Sequence, residues 1–539
     1  MAADFLAPAS HQDITQHGQD ELGIPTRRFE RARPRAPRKP IRFRLGIAGL
    51  CLALFVVGAA VVQARTAPPP VADPVVSGPL VMIDGVAGQT IQGFGASGAW
   101  WSSDVASFSP DARAHIADLL FTSAGLDLSM FRYEIGSGGK GVTDPARAPQ
   151  TFAVKPGVYD WSRDSSGVLF LQMASARGVP ALVGFVVSPP TFWTTNGKAC
   201  GGYLKPGSEA AFAGYVADVV THLHDEGITL SYVSPMNEPD STFWQCTQEG
   251  AAVPAWQRAR VLSAVAEALA DRAPYARVIA DESSHVQSEL LPNLGSWLTN
   301  STTTNVAAIA THLYDYPSDT TFAKAAAAAA SLNVPIWASE ICCYNGSGFG
   351  AGYDPTMTSG LWLADTIWQA LGPGNGSSFS WWTALSSAVG CDVHSSSTCA
   401  AMPNASGWND GLLYYDPNFR ANGNQAVSFT KRFWVLANFS RFVRPGAVRH
   451  TLSGVPAGVR ALAFSKGRTW TIVAINDGNV ATPFNVRIPS SSRYTLQSYR
   501  TSATEDLAGA AGGQISRARH ALASTLAPRS VTTFVLTRK

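Results

Sequence analysis

Between positions 91 and 382, apolar, β-favouring runs recur at 91–95, 128–133, 181–187, 232–235, 277–281, 307–312, 335–339 and 378–382. Stretches with helix signals lie between most of them. SEAAFAGYVADVVTHLHDEG has Ser208 as N-cap, apolar residues at helical spacing, and Gly227 as a stop. FAKAAAAAASLN is a strong helix former through its alanines. Eight strands alternating with helices predict an α/β chain folded as a (β/α)₈ TIM barrel, whose reactive residues sit at the C-terminal ends of the strands. An open doubly wound sheet is the structural alternative, but no GxGxxG motif opens a strand–helix unit here.

The pattern changes near Lys431. GVRALAFSKGRTWTIVAINDG, TPFNVRIP and SVTTFVLTRK alternate in short runs broken by Gly, Pro, Asn and Ser, which predicts an antiparallel β-sandwich. PLVMIDGVAGQT, ahead of the barrel, is strand-like too and is free to join that sandwich. At the other end, the 18 residues from Leu45 to Val62 carry no charge and would span about 27 Å as a helix. The expected organisation is a basic cytosolic tail over 1–44 and a transmembrane anchor or signal segment over 45–64. A Pro-rich linker over 65–78, a barrel over 79–430 (79–90 shared with the sandwich) and a sandwich over 431–539 follow.

Charge sharpens this reading. Through Arg44 the chain holds nine Lys/Arg against five Asp/Glu, while the remainder is within one charge of neutral. The basic residues before the apolar run predict a cytosolic N-terminus and a body outside the cell membrane, secreted if the segment is cleaved after Ala64. A near-neutral body offers no field for nucleic acid. Six body cysteines suit disulfides in an oxidising compartment, with Cys391–Cys399 and Cys200–Cys246 as candidate pairs among 15 connectivities. No CxxC or Cys/His spacing of the zinc type occurs, and His222 and His224 diverge at i, i+2 on a helix. No metal or cofactor is expected.

Two acids then stand out. Glu238 follows the fourth strand in SPMNEPD, where the proline stops the strand and leaves the carboxylate at its exit. Glu340 ends the seventh strand in VPIWASEICC. Opposed carboxyl groups across a barrel mouth are what glycosidic cleavage requires, one as proton donor and the other as nucleophile or base. Arg132 on strand two can face a carboxylate, Asn237 can bond a sugar hydroxyl, and His312 and Tyr314 can orient Glu340. Trp101, Trp193, Trp244, Trp381 and Trp382, with Trp100, are candidate platforms for the apolar faces of sugar rings. Each has a structural alternative. Tryptophans fill cores, Arg132 can pair with Glu134 or Asp281, and Glu282 after strand five is a rival carboxylate suited to an ion pair.

Taken in order, IQGFGASGAWW, RYEIG, GFVVSPPTFW, SPMNEPD, WASE and FWVLANFSRFVRPGAVRH resemble glycoside hydrolase family 30, from about Ile83 to the C-terminus. The resemblance implies a retaining β-glycosidase with a (β/α)₈ barrel fused to a β-sandwich, with Glu238 as acid/base and Glu340 as nucleophile. It also implies roles for Arg132 and Asn237. GFGASGAWW, IGSGGKG and SPPTFWTTNGKACGG are most similar to the endo-β-1,6-galactanase branch; related members act on glucosylceramide, β-1,6-glucan or glucuronoxylan. Glu134 departs from the asparagine expected in RYNIG. The expected partners are a polysaccharide or glycoconjugate substrate and, through the N-terminal segment, a membrane. The competing expectations are a silent carbohydrate-binding surface protein and a metal-dependent barrel hydrolase.

Overall fold

Eight short strands with almost wholly buried backbones build the core of the protein. In the computed structural model, which describes residues 74, 76, 78–243, 245–299, 302–396, 398–489, 492–510 and 512–539, they are β1 (Gly93–Ser97), β2 (Met130–Glu134), β3 (Ala181–Phe185) and β4 (Leu230–Ser234). β5 (Arg277–Ser283), β6 (Ala308–His312), β7 (Ile336–Glu340) and β8 (Ser378–Trp381) follow. Each pairs in parallel with its neighbour in sequence, and β8 returns to β1, so the barrel is closed. Closure in chain order excludes the doubly wound sheet, whose strand order reverses. The apolar run at 45–62, the tail before it, the Pro-rich stretch through Asp73 and Trp244 lie outside the described residues. Among the described residues no helix is long and apolar enough to cross a membrane.

Strand alternation sorts side chains between two cores. Met130, Val183, Ile279, Ala308, Ala310 and Trp337 meet inside the barrel. Phe131 faces the other way and packs edge-on against Phe121 of a surrounding helix. β1 turns glycines inward because space is short: a Cβ at Gly93 would lie 2.6 Å from Met130 Cγ, and one at Gly95 would lie 2.7 Å from Ser380 Oγ. This gives the GFGAS motif a packing reason.

The expected helices form. α1 (Glu209–Asp225) ends ahead of Gly227, whose φ of 84° gives the left-handed turn that glycine adopts freely. Ser208 precedes it, but its hydroxyl donates to the Lys205 carbonyl and does not cap the helix. α2 (Asp319–Ser331) is the alanine-rich helix, capped by Ser318 Oγ, which accepts from Thr321 N at 3.2 Å.

The β-rich side domain is a ten-stranded ladder that includes Leu80–Thr90. That strand joins its two parts, running antiparallel to Val448–Ser453 and, at Leu80 and Val81, parallel to Thr482–Arg487. Phe484 and Phe534 lie on strands far apart in the ladder yet stack at 6.3 Å, so the ladder folds over a shared apolar core. α3 (Lys431–Ser440) connects this domain to the barrel. Its Asn438 donates to Thr533 Oγ1 at 2.9 Å, and its Ser440 hydroxyl donates to the Leu126 carbonyl at 2.5 Å. Leu462, Phe464 and Val531 of the side domain belong to the same core as the barrel's outer layer.

Candidate active site

The C-terminal ends of β2, β4, β5, β6 and β7 bring one arginine, one histidine, one tyrosine and three glutamates together. Arg132 Nη1 donates to Glu340 Oε2 at 2.6 Å, and Nη2 reaches Glu282 Oε2 at 3.3 Å. The guanidinium also lies 4.3 Å from the Phe185 ring centroid. Neither Glu134 nor Asp281 is its partner; Asp281 pairs with Arg258 at 2.7 Å. Tyr314 OH donates to Glu340 Oε1 at 2.9 Å. His312 bridges the acids, with Nδ1 3.0 Å from Glu238 Oε1 and Nε2 2.8 Å from Glu282 Oε2. Glu282 accepts a further bond from Ser339 Oγ at 2.6 Å.

Backbone geometry sets these positions. Glu238 and Glu282 both have positive φ, 45° and 60°, just past β4 and within β5, and Glu238 N donates to Glu282 O at 2.9 Å. Non-glycine residues rarely adopt this conformation, and it is common at functional sites. One oxygen of Glu238 and one of Glu340 lie within 4.8 Å of each other, with a His312 nitrogen inside the same limit.

The acids are not equivalent. Burial raises the Glu282 pKa, but Arg132, His312 and Ser339 together bring it down to about 2. Burial raises that of Glu238 above the usual range against the opposing pull of His312, with Glu340 adding to the rise. Burial lowers the His312 pKa, yet Glu340 and the bonds to Glu238 and Glu282 raise it to about 10. His312 is therefore an imidazolium donating from both nitrogens. The Glu238–His312–Glu340 cluster is a hydrogen-bonded array in which carboxyl groups engage both imidazole nitrogens, Glu238 at Nδ1 and Glu282 at Nε2. A carboxyl group whose protonated form burial favours, facing a second one held by Arg132 and Tyr314, gives a proton donor for a leaving oxygen and a group able to attack carbon.

Asn237 sits beside Glu238, 5% exposed, with its Oδ1 unbonded among the described residues. The tryptophans divide. Trp101 is buried against Phe170 and Phe131, and its indole donates to the Ser97 carbonyl, which places it in the outer core. Trp193 packs on Tyr215 and Phe212 of α1, also in the core. Trp381 follows the inward Ser378 and Ser380 out of phase, so it points outward to Trp362 and donates to Asp410 O. These three are core residues because strand and helix phase, invisible in composition, turns them from the mouth. Trp382, one residue beyond β8, meets Trp100 edge-on at 4.8 Å, with Arg147 over the Trp100 ring. His222 stacks on Trp161 and His224 on Tyr275, so they diverge.

Two features went unread in the sequence. Phe349 is 41% exposed and meets Tyr314 edge-on at 5.6 Å, an aromatic surface in the Gly-rich loop CCYNGSGFGAGY. Cys342 and Cys343 bond to each other, alongside Cys200–Cys246 and Cys391–Cys399. The adjacency of Cys342 and Cys343, two residues past Glu340, was the available signal.

The profile described as "O-Glycosyl hydrolase family 30" matches residues 80–392, more than half of the chain. The glucuronoxylanase XynC of Bacillus subtilis (strain 168) is 26% identical over 352 residues, covering 64% of this chain and 70% of that protein. An exo-beta-1,6-galactobiohydrolase of Bifidobacterium longum subsp. longum is 24% identical over 176 residues, 24% of this chain and 12% of that protein. In fold, a conserved exported protein from Bacteroides fragilis superposes with a TM-score of 0.72 at 22% identity, over 85% of this chain and 100% of that one. With a closed parallel barrel and paired glutamates at its mouth, the chain belongs to O-glycosyl hydrolase family 30 and is a glycoside hydrolase.

Proposed function

We propose that the protein cleaves β-glycosidic bonds with retention, by double displacement between Glu340 and Glu238. The observation carrying this reading is the approach of their oxygens to within 4.8 Å. Retaining enzymes hold the two carboxyl groups about 5–5.5 Å apart, whereas inverting enzymes leave about 6.5–9.5 Å for a water. Glu340, aligned by Arg132 and Tyr314, attacks the anomeric carbon while Glu238 gives its proton to the leaving oxygen. Glu238 then takes a proton from water, which attacks the glycosyl–Glu340 ester and releases the sugar with its configuration kept. His312, hydrogen-bonded to Glu238 at 3.0 Å and to Glu282 at 2.8 Å, holds Glu238 in place.

The substrate in this reading is a β-1,6-linked galactan cut internally. GFGASGAWW, IGSGGKG and SPPTFWTTNGKACGG support it, as does similarity to a galactobiohydrolase named for β-1,6 linkages. The apolar run at 45–62 behind a basic tail supports a membrane anchor with the body outside, and three disulfides suit that compartment. The test is product analysis against β-1,6-galactan, β-1,6-glucan, glucuronoxylan and glucosylceramide, with Glu340→Ala as control. Oligosaccharides from galactan alone, absent with the variant, are expected. Products from another glycan would replace the substrate assignment. Binding without turnover of any of them would favour a silent carbohydrate-binding protein.

A further inference from the structure

Glu134 is an inward-facing acid at the barrel mouth that the mechanism leaves unused. It ends β2 two residues after Arg132, so it points into the barrel as Met130 and Arg132 do, one layer nearer the opening. It is 3% exposed, and among the described residues neither of its carboxyl oxygens has a hydrogen-bond partner. A buried carboxyl group is costly to leave unbonded, and the partners open to it at a barrel mouth are water or a ligand hydroxyl. Asn237 Oδ1, beside Glu238, is unbonded in the same way.

The frame around Glu134 is firmly built. In the IGSGGKG loop that follows, Ser137 N and Gly139 N donate to Glu249 at 3.1 and 2.9 Å, with Gly138 and Gly139 at φ of 91° and 67°. The loop carrying Glu249 is tied back by Cys200–Cys246 and by Thr143 N donating to Cys246 O. Burial, then the charges of Glu249, Asp164 and Glu340, hold the Glu134 pKa well above the usual range against Arg132. Burial thus favours its protonated form, which is able to give one hydrogen bond and accept another. Arg132, the cation facing it, already binds Glu340 and Glu282 through its two amino groups.

Resting on the glycoside hydrolase reading of this site, we infer that Glu134 is a substrate-binding residue that hydrogen-bonds a hydroxyl of a neutral sugar held beside Glu340, and that it disfavours a uronic acid there. A sugar carboxylate at this place would meet acids, while Arg132 and His312 are already paired with Glu340, Glu282 and Glu238. A hydroxyl meets a group that can both donate and accept.

The test is steady-state kinetics of the full-length enzyme on the β-glycan it cleaves best, with Glu134→Ala and Glu134→Gln. Glu134→Ala should lower kcat/KM about 10–100-fold. Glu134→Gln keeps one donor and one acceptor and should stay within about threefold of wild type near neutral pH. The wild-type KM should rise on the alkaline side as Glu134 ionises, and that of Glu134→Gln should not. A merely structural role would leave this pH dependence of KM unchanged. The monosaccharide that makes up that glycan should inhibit at least about tenfold better than the corresponding uronic acid. Turnover by Glu134→Ala within twofold of wild type, the same alkaline rise in Glu134→Gln, or equal inhibition by the uronic acid would overturn the inference alone. If Glu134→Ala does not fold, the pH comparison with Glu134→Gln decides. A wild-type enzyme inert on every glycan would instead overturn the reading of the site.

Discussion

Glu282→Gln removes the anion on which Arg132, His312 and Ser339 converge while keeping the shape of the side chain. The Glu282 pKa falls to about 2 from its ordinary 4.5, so its charged form is favoured by about 3 kcal/mol in the fold. Breaking a buried pair from one side costs about 3–5 kcal/mol by comparison, because the cations stay buried with less to face. The sign follows from the depressed value: this stabilisation is complete above pH 4.5 and is lost as pH falls toward about 2. His312 works in the opposite window. Its pKa is raised from 6.5 to about 10, so its contribution is complete below pH 6.5 and is lost as pH rises through about 10. Urea unfolding of wild type and Glu282→Gln at pH 7 and pH 3.5 measures the first effect. The gap should be about 3 kcal/mol at pH 7 and narrow to about 2 kcal/mol at pH 3.5. A gap below about 1 kcal/mol at pH 7, or one that widens in acid, would refute the reasoning.

Tyr314→Phe removes the hydroxyl that donates to Glu340, and should lower kcat about 10–100-fold with little change in Tm; an unchanged kcat would remove Tyr314 from the site. The raised pKa of Glu238 places its proton loss above the ordinary glutamate range, so kcat/KM on natural glycans should fall on the alkaline side of the profile. Glu238→Ala should spare aryl glycosides with good leaving groups and slow natural substrates far more; equal loss on both would contradict its role as proton donor. Peptide mapping without reduction should recover Cys342–Cys343 with the two longer pairs, and free thiols at 342 and 343 would contradict the structure.

The barrel was legible because its strands are buried on both faces and so read as apolar runs, each shifted by only a residue or two from its final bounds. The run at 181–187 shortens to Ala181–Phe185, and the run at 232–235 begins earlier, at Leu230. Glu238 and Glu340 could be placed because each follows such a run, and Arg132 because it lies within one. Whether a tryptophan faces mouth or core was not legible. Trp381 and Trp382 are adjacent, yet strand phase sends the first outward to Trp362 while the second, past the strand end, meets Trp100. Glu282 was read as a structural acid, and it does pair with Arg132, but its link through His312 to Glu238 depends on contacts 30 and 74 residues apart that no local pattern records.

The most direct measurement is proton NMR of the anomeric centre during the first minutes of hydrolysis, before mutarotation. With Glu238 and Glu340 as close as the structure places them, the β-anomer should form first and the α-anomer should grow in later. An α-anomer as the first product would mean inversion, and would contradict the assignment of Glu340 as nucleophile.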